Sequence, residues 1–340
     1  MCHIHTCLPY KGQVPLFLAF PPPGGRWREA PDEGHFEHMI ILNNLSQLHT
    51  TTPTAVAIGK FDGVHLGHRR LLEEILSAKQ DGMLAAVFTF HPSPEELFGM
   101  SDGKVLTTRE EKQRILEELG VDLLIEYPMT KENAAIAPET FIEEYLCRRL
   151  QARLVAAGTD LSFGAKGAGD FALLDAMKRN GGYETVQVEK LRIGNTEVSS
   201  SRVRALIEAG QLKEARACLG YDYAFRGIVQ HGAQLGRTIG IPTVNLIPQE
   251  NKLLPPYGVY FSEVLLDGQK YRAMTNIGTK PTVNGTKAVT IESYLYDYSG
   301  DCYDHEITVI PKYFHRPEMK FESVDALKIQ MDKDLAVGVF

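Results

Sequence analysis

The chain has 340 residues, of which 44% are hydrophobic, and this is enough for two globular domains that each bury a core. Its formal net charge of -7 excludes a broad basic surface for nucleic acid, so any phosphate must be bound within a local site. An odd number of cysteines without metal-ligand spacing argues against a disulfide framework and leads us to expect a cytoplasmic protein: Cys2, Cys7, Cys147, Cys218 and Cys302.

The first 38 residues differ in composition from the rest of the chain. Their apolar run at 14–20 is too short to span a bilayer, and three prolines end it without a charged segment before it. We therefore predict neither a signal peptide nor a membrane segment here. We expect residues 1–38 to be a disordered extension or an upstream start that is not translated.

A short stretch with two histidines joins the first strongly patterned strand to a helix. Residues 55–58 are an apolar run typical of a buried strand, and residues 66–78 carry leucine and isoleucine at helical spacing. Three glycines and two histidines lie between this strand and this helix or in the first turn of the helix: Gly59, Gly63, Gly67, His65 and His68. A helix N-terminus offers free N–H groups and the positive end of its dipole to an anion. The pattern therefore predicts a phosphate-binding turn.

Strand and helix patterns alternate over residues 39–220. Strands are predicted at 85–90, 121–127 and 153–157, and helices at 108–119 and 138–150. The second helix starts from a proline, and the first from a capping box in which Thr108 precedes Glu111. Such alternation indicates an open parallel sheet with helices on both faces, where ligands bind beyond the carboxyl ends of the strands.

Two later segments of this half also have ligand-binding chemistry. The glycine-rich segment 158–170 follows a predicted strand, allows close approach of backbone to a ligand, and carries Asp160 and Lys166. The segment 198–204 starts a helix with three serines and two arginines, which would form a second anion site: Ser199, Ser200, Ser201, Arg202 and Arg204. A plain glycine-rich connection and a capped, solvated helix are the alternatives.

After Gly220 the pattern changes to short strands separated by turn signals. Strands are predicted at 224–230, 258–266, 271–276, 290–298 and 306–310, with a final helix at 324–335. This favours a separate antiparallel domain. Its glycine-rich segment 232–240 can wrap nucleotide phosphates, and Thr243 and Asn245 offer neutral oxygen ligands that suit Mg²⁺.

Two of these motifs resemble the signatures of the bacterial bifunctional riboflavin kinase/FAD synthetase family. Residues 59–68 are similar to its sequence G-x-F-D-G-V-H-x-G-H. Residues 232–246 resemble its kinase signature, in which P-T-x-N follows a glycine-rich loop. Both motifs occur in the order of the family, and the resemblance covers the chain from about residue 39 to its C-terminus.

The resemblance implies a fold and a substrate set. Residues 39–220 would form a Rossmann-like nucleotidylyltransferase domain that makes FAD from FMN and ATP. Residues 221–340 would form a six-stranded antiparallel Greek-key β-barrel with a terminal helix, which makes FMN from riboflavin and ATP. Mg²⁺ is the expected cofactor of both reactions, and a monomer or weak homo-oligomer is the expected state.

The resemblance also implies site residues in the N-terminal half, where the FMN phosphate attacks the α-phosphorus of ATP. The charge of the triphosphate would be stabilised by His65, His68, Arg202 and Arg204. Asp62 is expected to fix the turn, because the attacking phosphate oxygen is already ionised. The nucleotide- or flavin-binding residues implied here are Gly59, Phe61, Asp62, Gly63, Gly67, Asp160, Lys166, Ser199, Ser200 and Ser201.

In the C-terminal half, Glu292 matches the catalytic glutamate of the family and is expected to accept or direct the proton of the riboflavin 5′-hydroxyl. Thr243 and Asn245 are the expected metal ligands. The other binding residues implied in this half are Gly232, Gly236, Arg237, Gly240, Pro242 and Asn276.

Two other functions remain open at this stage. The N-terminal half could transfer a nucleotide to a different phosphorylated acceptor, which an acceptor panel with labelled ATP would reveal. The chain could also be a non-catalytic flavin-binding or regulatory protein. Loss of the residues expected to be catalytic would favour the second alternative, but all of them are present.

Overall fold

The structure, a computed structural model, describes residues 38–230, 241–281 and 287–337. The predicted N-terminal extension, apart from His38, lies outside the described residues, as do Gly232, Gly236, Arg237 and Gly240. Two six-stranded sheets organise the described part, one parallel and one antiparallel. No helix in that part combines the length and the apolar character that a bilayer span requires.

The first sheet is parallel throughout, as the alternation of strand and helix predicts. Its strands are β1 (Ile40–Leu42), β2 (Thr54–Ile58), β3 (Leu84–His91), β4 (Leu123–Pro128), β5 (Ala152–Gly158) and β6 (Glu184–Val188). Their spatial order is β1-β4-β3-β2-β5-β6. From β2 the chain first adds β3 and β4 on one side, and it later adds β5 and β6 on the other side. The crevice of the sheet therefore opens beyond the carboxyl ends of β2 and β5.

Helices cover both faces of this sheet. They are α1 (Leu66–Ser77), α2 (Pro94–Leu97), α3 (Arg109–Glu118), α4 (Pro138–Phe141), α5 (Phe171–Gly181), α6 (Ser200–Glu208) and α7 (Leu212–Leu219). A short hairpin, β7 (Arg192–Ile193) and β8 (Thr196–Glu197), precedes α6. One buried cluster lies on each face of the sheet, and all five residues of β2 are buried between them.

The helix predicted at 138–150 differs from the structure in its hydrogen bonding. After α4 the chain continues as a π-helix over Ile142–Arg149. Apolar spacing distinguishes a helix from a strand, but it does not distinguish i→i+4 from i→i+5 bonding. The capping box of α3 is confirmed, because the Glu111 N–H donates to Thr108 Oγ1 at 3.3 Å and the Thr108 N–H donates to the Glu111 carboxylate at 2.9 Å.

The second sheet is the expected antiparallel barrel. Its strands are β9 (Phe225–Ile228), β10 (Val244–Leu246), β11 (Gly258–Leu266), β12 (Gln269–Pro281), β13 (Lys287–Leu295) and β14 (Glu306–Pro317). The spatial order β10-β13-β12-β11-β14-β9 contains a Greek key, since β14 returns to lie beside β11. The Gln230 N–H donates to the Asn245 carbonyl at 2.8 Å and brings the two edges together, so the barrel is nearly closed.

The strand β12 extends beyond the predicted 271–276 because it pairs with all of β11 and then continues beside β13 to Pro281. The strand β14 extends beyond the predicted 306–310 because it pairs with β11 as far as Pro317. The predicted terminal helix is present as α8 (Val324–Val337). A buried carboxylate attaches it to the barrel: Asp334 Oδ2 accepts from Arg316 Nη2 at 2.6 Å. The hydroxyl of Tyr296 also donates to the Leu335 carbonyl at 3.1 Å.

One buried core crosses from the parallel-sheet half into the barrel. Val203 of α6 and Leu219 of α7 belong to the same apolar cluster as Phe225 and Tyr260 of the barrel. Beside this cluster, the buried Lys252 donates to the Leu106 carbonyl at 2.8 Å and to the Glu111 carboxylate at 2.5 Å. The two halves are therefore joined by shared packing as well as by the chain.

Candidate functional sites

The turn between β2 and α1 has a backbone conformation that few side chains permit. Phe61, Gly63 and Val64 have φ values of 52°, 80° and 34°, all in the left-handed region. At Gly63 a Cβ would also lie 2.9 Å from Leu106 Cδ1, so glycine is required there for two reasons. At Gly67 a Cβ would lie 3.1 Å from the ring of His65. The predicted glycines therefore shape the turn and leave room for the first histidine.

The two histidines form one stacked pair at the start of α1. Their ring centroids are 3.7 Å apart with an interplanar angle of 14°, and the His68 ring lies 5.0 Å from the ring of Phe61. His65 caps the helix, since its Nδ1 accepts from the His68 N–H at 3.3 Å. A neutral His65 must then carry its hydrogen on Nε2, where it can donate to a ligand. His68 Nδ1 is buried without a hydrogen-bond partner, which suits contact with a bound group.

Burial determines the charge of this pair. It lowers the pKa of His65 to about 4 and the pKa of His68 well below its usual value, and the neighbouring His65 and Lys112 lower the latter further. Both imidazoles are therefore neutral at neutral pH when no anion is bound. A bound polyphosphate would raise both pKa values, because a nearby negative charge favours the protonated form.

Asp62 holds three segments together at the turn. Its Oδ1 accepts from the backbone N–H groups of Leu106 at 2.8 Å and Thr107 at 3.3 Å. Its Oδ2 lies 3.1 Å from Arg204 Nη2 on α6, and the Ser200 hydroxyl donates to the Asp62 carbonyl at 2.8 Å. The carboxylate therefore fixes the loop before α3 and the start of α6 against the turn.

The start of α6 lies beside the histidine pair on the β5 side. Ser199 caps this helix by accepting from the Arg202 N–H at 3.2 Å, whereas Ser201 is exposed. The guanidinium of Arg202 contacts the Glu197 carbonyl at 3.3 Å, so it lies near the rim, while Arg204 is paired with Asp62. The two predicted arginines thus have different environments.

The loop after β5 separates its two predicted residues. The Asp160 carboxylate is 73% exposed, lies 3.3 Å from Lys190 Nζ and is close enough to raise the pKa of His65 against the effect of burial. Lys166 is exposed, with a φ of 55°. Of the two, Asp160 is the one that interacts with the histidine pair.

Two residues at this site were missed by the sequence analysis. Tyr221, at the start of the C-terminal half, donates its hydroxyl to the Gly63 carbonyl at 2.7 Å, and Arg69 lies over its ring at 5.6 Å. Lys112 of α3 donates to the Lys60 carbonyl at 3.5 Å. No local pattern could have revealed either contact, because the partners lie 158 and 52 positions apart in the chain.

The predicted residues of the C-terminal half form a row across three strands. Asn245 of β10 is opposite Glu292 of β13, which in turn is opposite Asn276 of β12. Directly paired residues of antiparallel strands project from the same face, so these side chains are neighbours. Thr290 Oγ1 donates to Glu292 Oε1 at 3.3 Å, and all members of the row are partly buried.

The donor chemistry near this row fits Mg²⁺. Thr243 precedes Asn245 in the same segment, and its carbonyl accepts from Asn245 Nδ2 at 3.5 Å. The described ranges contain no group of three histidine, cysteine or acidic residues that could hold a metal alone. Mg²⁺ is commonly held by few protein oxygens together with water and substrate phosphates, and Thr243, Asn245 and Glu292 can supply such oxygens.

Comparisons with known proteins give a match for each half of the chain. Two family profiles match the chain: FAD synthetase over residues 47–202 and riboflavin kinase over residues 219–338. A protein of Listeria monocytogenes named bifunctional riboflavin kinase/FMN adenylyltransferase is 36% identical over 82% of this chain and 89% of its own length. A protein of the same name from Escherichia coli K12 is 36% identical over 86% of this chain and 94% of its own.

A solved structure has a similar arrangement over most of the chain. It is described as a macrolide-efflux protein from Streptococcus pneumoniae, and it has a TM-score of 0.78 and 30% sequence identity. The match covers 88% of this chain and 98% of the other. The similarity therefore includes both halves.

Proposed function

Since this chain belongs to the bifunctional riboflavin kinase/FMN adenylyltransferase family, we propose which of its residues carry each of the two reactions. The protein phosphorylates riboflavin with ATP to give FMN, and it adenylylates FMN with ATP to give FAD and pyrophosphate. We assign adenylyl transfer to residues 39–220 and phosphorylation to residues 221–340. The order of the two family matches supports this division.

In adenylyl transfer, an oxygen of the FMN phosphate forms a bond to the α-phosphorus of ATP. The bond from that phosphorus to the bridging oxygen breaks, and pyrophosphate leaves with the electron pair. No side chain is needed as nucleophile or base, because the FMN phosphate is ionised at neutral pH. We assign His65 and His68 to the triphosphate, supported by the free Nε2 hydrogen of the first and the buried, unpaired Nδ1 of the second.

The two arginines of α6 have different roles in this assignment. Arg202, near the rim of the site, contacts the triphosphate. Arg204 acts through Asp62, because its guanidinium pairs with that carboxylate. Asp160 and the start of α6 complete the nucleotide side of the site, next to the carboxyl end of β5.

In phosphorylation, the riboflavin 5′-hydroxyl forms a bond to the γ-phosphorus of ATP, and ADP leaves. We assign Glu292 as the group that accepts the hydroxyl proton, supported by its place between Asn245 and Asn276. Thr243 and Asn245 would hold Mg²⁺. When bound, this ion neutralises negative charge on the phosphates.

We further propose that the protein acts in the cytoplasm as a monomer or weak homo-oligomer. Two of its described cysteines support a reducing environment, because Cys147 and Cys218 are free thiols. Size-exclusion chromatography with light scattering at several protein concentrations would measure the assembly state. A concentration-independent dimer or larger species would contradict this proposal.

One observation carries the two-site assignment: the histidine pair lies at the start of α1, beside the parallel sheet, whereas the Glu292 row lies in the antiparallel sheet, and the two share no residue. A complementation experiment tests it. His68→Ala should convert riboflavin only as far as FMN, and Glu292→Ala should convert supplied FMN to FAD but leave riboflavin unchanged. A mixture of the two variants with riboflavin, ATP and MgCl₂ should produce FAD, measured by chromatographic separation of the flavins.

Wild-type protein and each variant alone are the controls. If each variant lost both reactions while its melting curve stayed unchanged, the two-site assignment would be wrong. If the mixture stopped at FMN although each variant retained its expected activity, FMN would have to pass within a single chain.

A further inference from the structure

Lys112 lies beside the phosphate-binding turn, on the side away from α6. Its Nζ is 3.5 Å from the carbonyl oxygen of Lys60, which follows β2. The same carbonyl accepts from Thr89 Oγ1 on β3 at 3.0 Å. The ammonium group is therefore located at the carboxyl ends of β2 and β3. Its positive charge acts to lower the pKa of Asp62 and the pKa of His68.

Three neighbouring cations are paired with carboxylates, whereas the ion pairs among the described residues do not include Lys112. Lys60 pairs with Glu95, Arg109 with Glu126 and Lys252 with Glu111. Glu126, the carboxylate that most strongly attracts Lys112, uses Oε2 for Arg109 and Oε1 for Gln113. Within the described ranges no carboxylate lies within 4.0 Å of the Lys112 ammonium.

This arrangement is unfavourable for the free protein. Lys112 is only partly exposed, and burial lowers its pKa. It is also the fourth residue of α3, close to the positive end of the helix dipole, where a cation is destabilising. Glu126 and Asp62 attract this cation from a distance, but no described carboxylate contacts it directly. A partly buried cation in such a position is suited to receive an anion.

The geometry also indicates which anion. The start of α6 is on the β5 side, because Lys190 pairs both with Asp160, which follows β5 and acts on His65, and with Glu197, which precedes α6. Lys112 acts on His68 and lies on the β3 side, because the Lys60 carbonyl that it contacts also accepts from Thr89 of β3. In an in-line displacement the attacking oxygen and the leaving group lie on opposite sides of the reacting phosphorus. A cation on the β3 side is therefore positioned for the attacking phosphate.

We propose that Lys112 binds the phosphate group of FMN and holds its attacking oxygen against the α-phosphorus of ATP. This inference rests on the assignment of adenylyl transfer to residues 39–220. Lys112 remains protonated throughout: the new bond joins the FMN phosphate to the α-phosphorus, and pyrophosphate takes the electron pair of the broken bond.

The test is the steady-state kinetics of Lys112→Met in the full-length chain, with FMN and ATP varied separately. We expect KM for FMN to rise roughly 10- to 100-fold, the effect of losing one charge-assisted hydrogen bond. KM for ATP and the rate of riboflavin phosphorylation should change less than twofold. Lys112→Arg, which keeps the charge, should recover part of the FMN affinity. Lys131→Met, at an exposed lysine, controls for the loss of one charge.

The outcomes separate this inference from the function on which it rests. If wild-type protein makes no FAD from supplied FMN, the assignment of adenylyl transfer fails. If wild-type protein makes FAD but Lys112→Met raises KM for ATP instead, or neither KM, the inference about Lys112 is overturned. Should Lys112→Met lower the melting temperature, Lys112→Gln provides the same comparison with a polar side chain.

Discussion

The two sites are constructed in different ways. At the proposed adenylyl-transfer site, side chains from distant parts of the chain hold the turn: Asp62 contacts Arg204, and Tyr221 contacts Gly63. In the barrel, the backbone pairing of three adjacent strands suffices to align Asn245, Glu292 and Asn276. The first site should therefore be sensitive to residues that never touch a substrate. The second should respond mainly to substitutions within the row itself.

The largest effect should come from Glu292→Gln. Loss of the carboxylate removes the proton acceptor, which contributes roughly 10²- to 10⁴-fold to a rate, while the strand register remains. Riboflavin phosphorylation should fall by that factor and adenylylation of supplied FMN should be unchanged, as measured from initial rates. A loss of less than tenfold in phosphorylation would remove Glu292 from its assigned role.

His68→Ala should have a slightly smaller effect, confined to the other reaction. Removing one preorganised donor from a charge-stabilising site lowers a rate by roughly 10²- to 10³-fold. The measurement is the initial rate of FAD formation from FMN, with riboflavin phosphorylation as the internal control. His49→Ala, at an exposed histidine, should leave both rates unchanged. An equal loss in the two variants would contradict a specific role of His68.

Asp62→Asn tests whether a residue behind the site matters. The amide keeps an oxygen acceptor for the Leu106 N–H but loses the ion pair with Arg204, and we expect about 2 kcal/mol of lost stability. If the same free energy is lost in the transition state, adenylylation should fall roughly 30-fold, and phosphorylation should not change.

A double-mutant cycle of Asp62→Asn with Arg204→Met then isolates the pair. Denaturant unfolding of the four proteins gives the coupling energy, which should be roughly 0.5–3 kcal/mol for groups in direct contact. Coupling near zero would mean that the carboxylate and the guanidinium act independently, and the proposed role of Arg204 would fail.

The smallest expected effect, that of Tyr221→Phe, tests most directly whether the two sites are constructed differently. Tyr221→Phe removes one hydroxyl, which lies in the C-terminal half but donates to a carbonyl of the N-terminal site. Loss of this hydrogen bond should cost about 1 kcal/mol and reduce FMN adenylylation roughly fivefold. Initial rates should show riboflavin phosphorylation unaltered. An equal reduction of both reactions would show that the two sites are not constructed as differently as the contacts indicate.

Local patterns predicted most of the fold and part of each site. The capping box of α3, the strand β2 and the turn that leads into α1 are encoded by neighbouring residues, and all three were predicted. The alignment of Glu292 with Asn245 depends on strand register, and a single sequence does not reveal register when the strands are separated by a long segment.

Other features depend on contacts between residues distant in the chain. No motif in the sequence distinguishes Tyr221 from an ordinary linker residue, or Lys112 from an ordinary helix residue. Their importance arises only when α3 and the start of the barrel are packed beside β2. The ends of β12 and β14 likewise depend on how far their partner strands continue, β13 for the first and β11 for the second.

The apolar core that includes Val203, Leu219, Phe225 and Tyr260 links the thermodynamics of the two enzymes. Because these side chains are buried against one another, neither half can unfold without exposing surface that belongs to the other. A substrate at 100 times its dissociation constant stabilises a protein by about 2.7 kcal/mol, and here that gain is shared. Under the proposed division of the two reactions, riboflavin bound in the barrel should therefore also protect the adenylyl-transfer half from heat and proteolysis, and damage in either half should impair the synthesis of both flavin nucleotides.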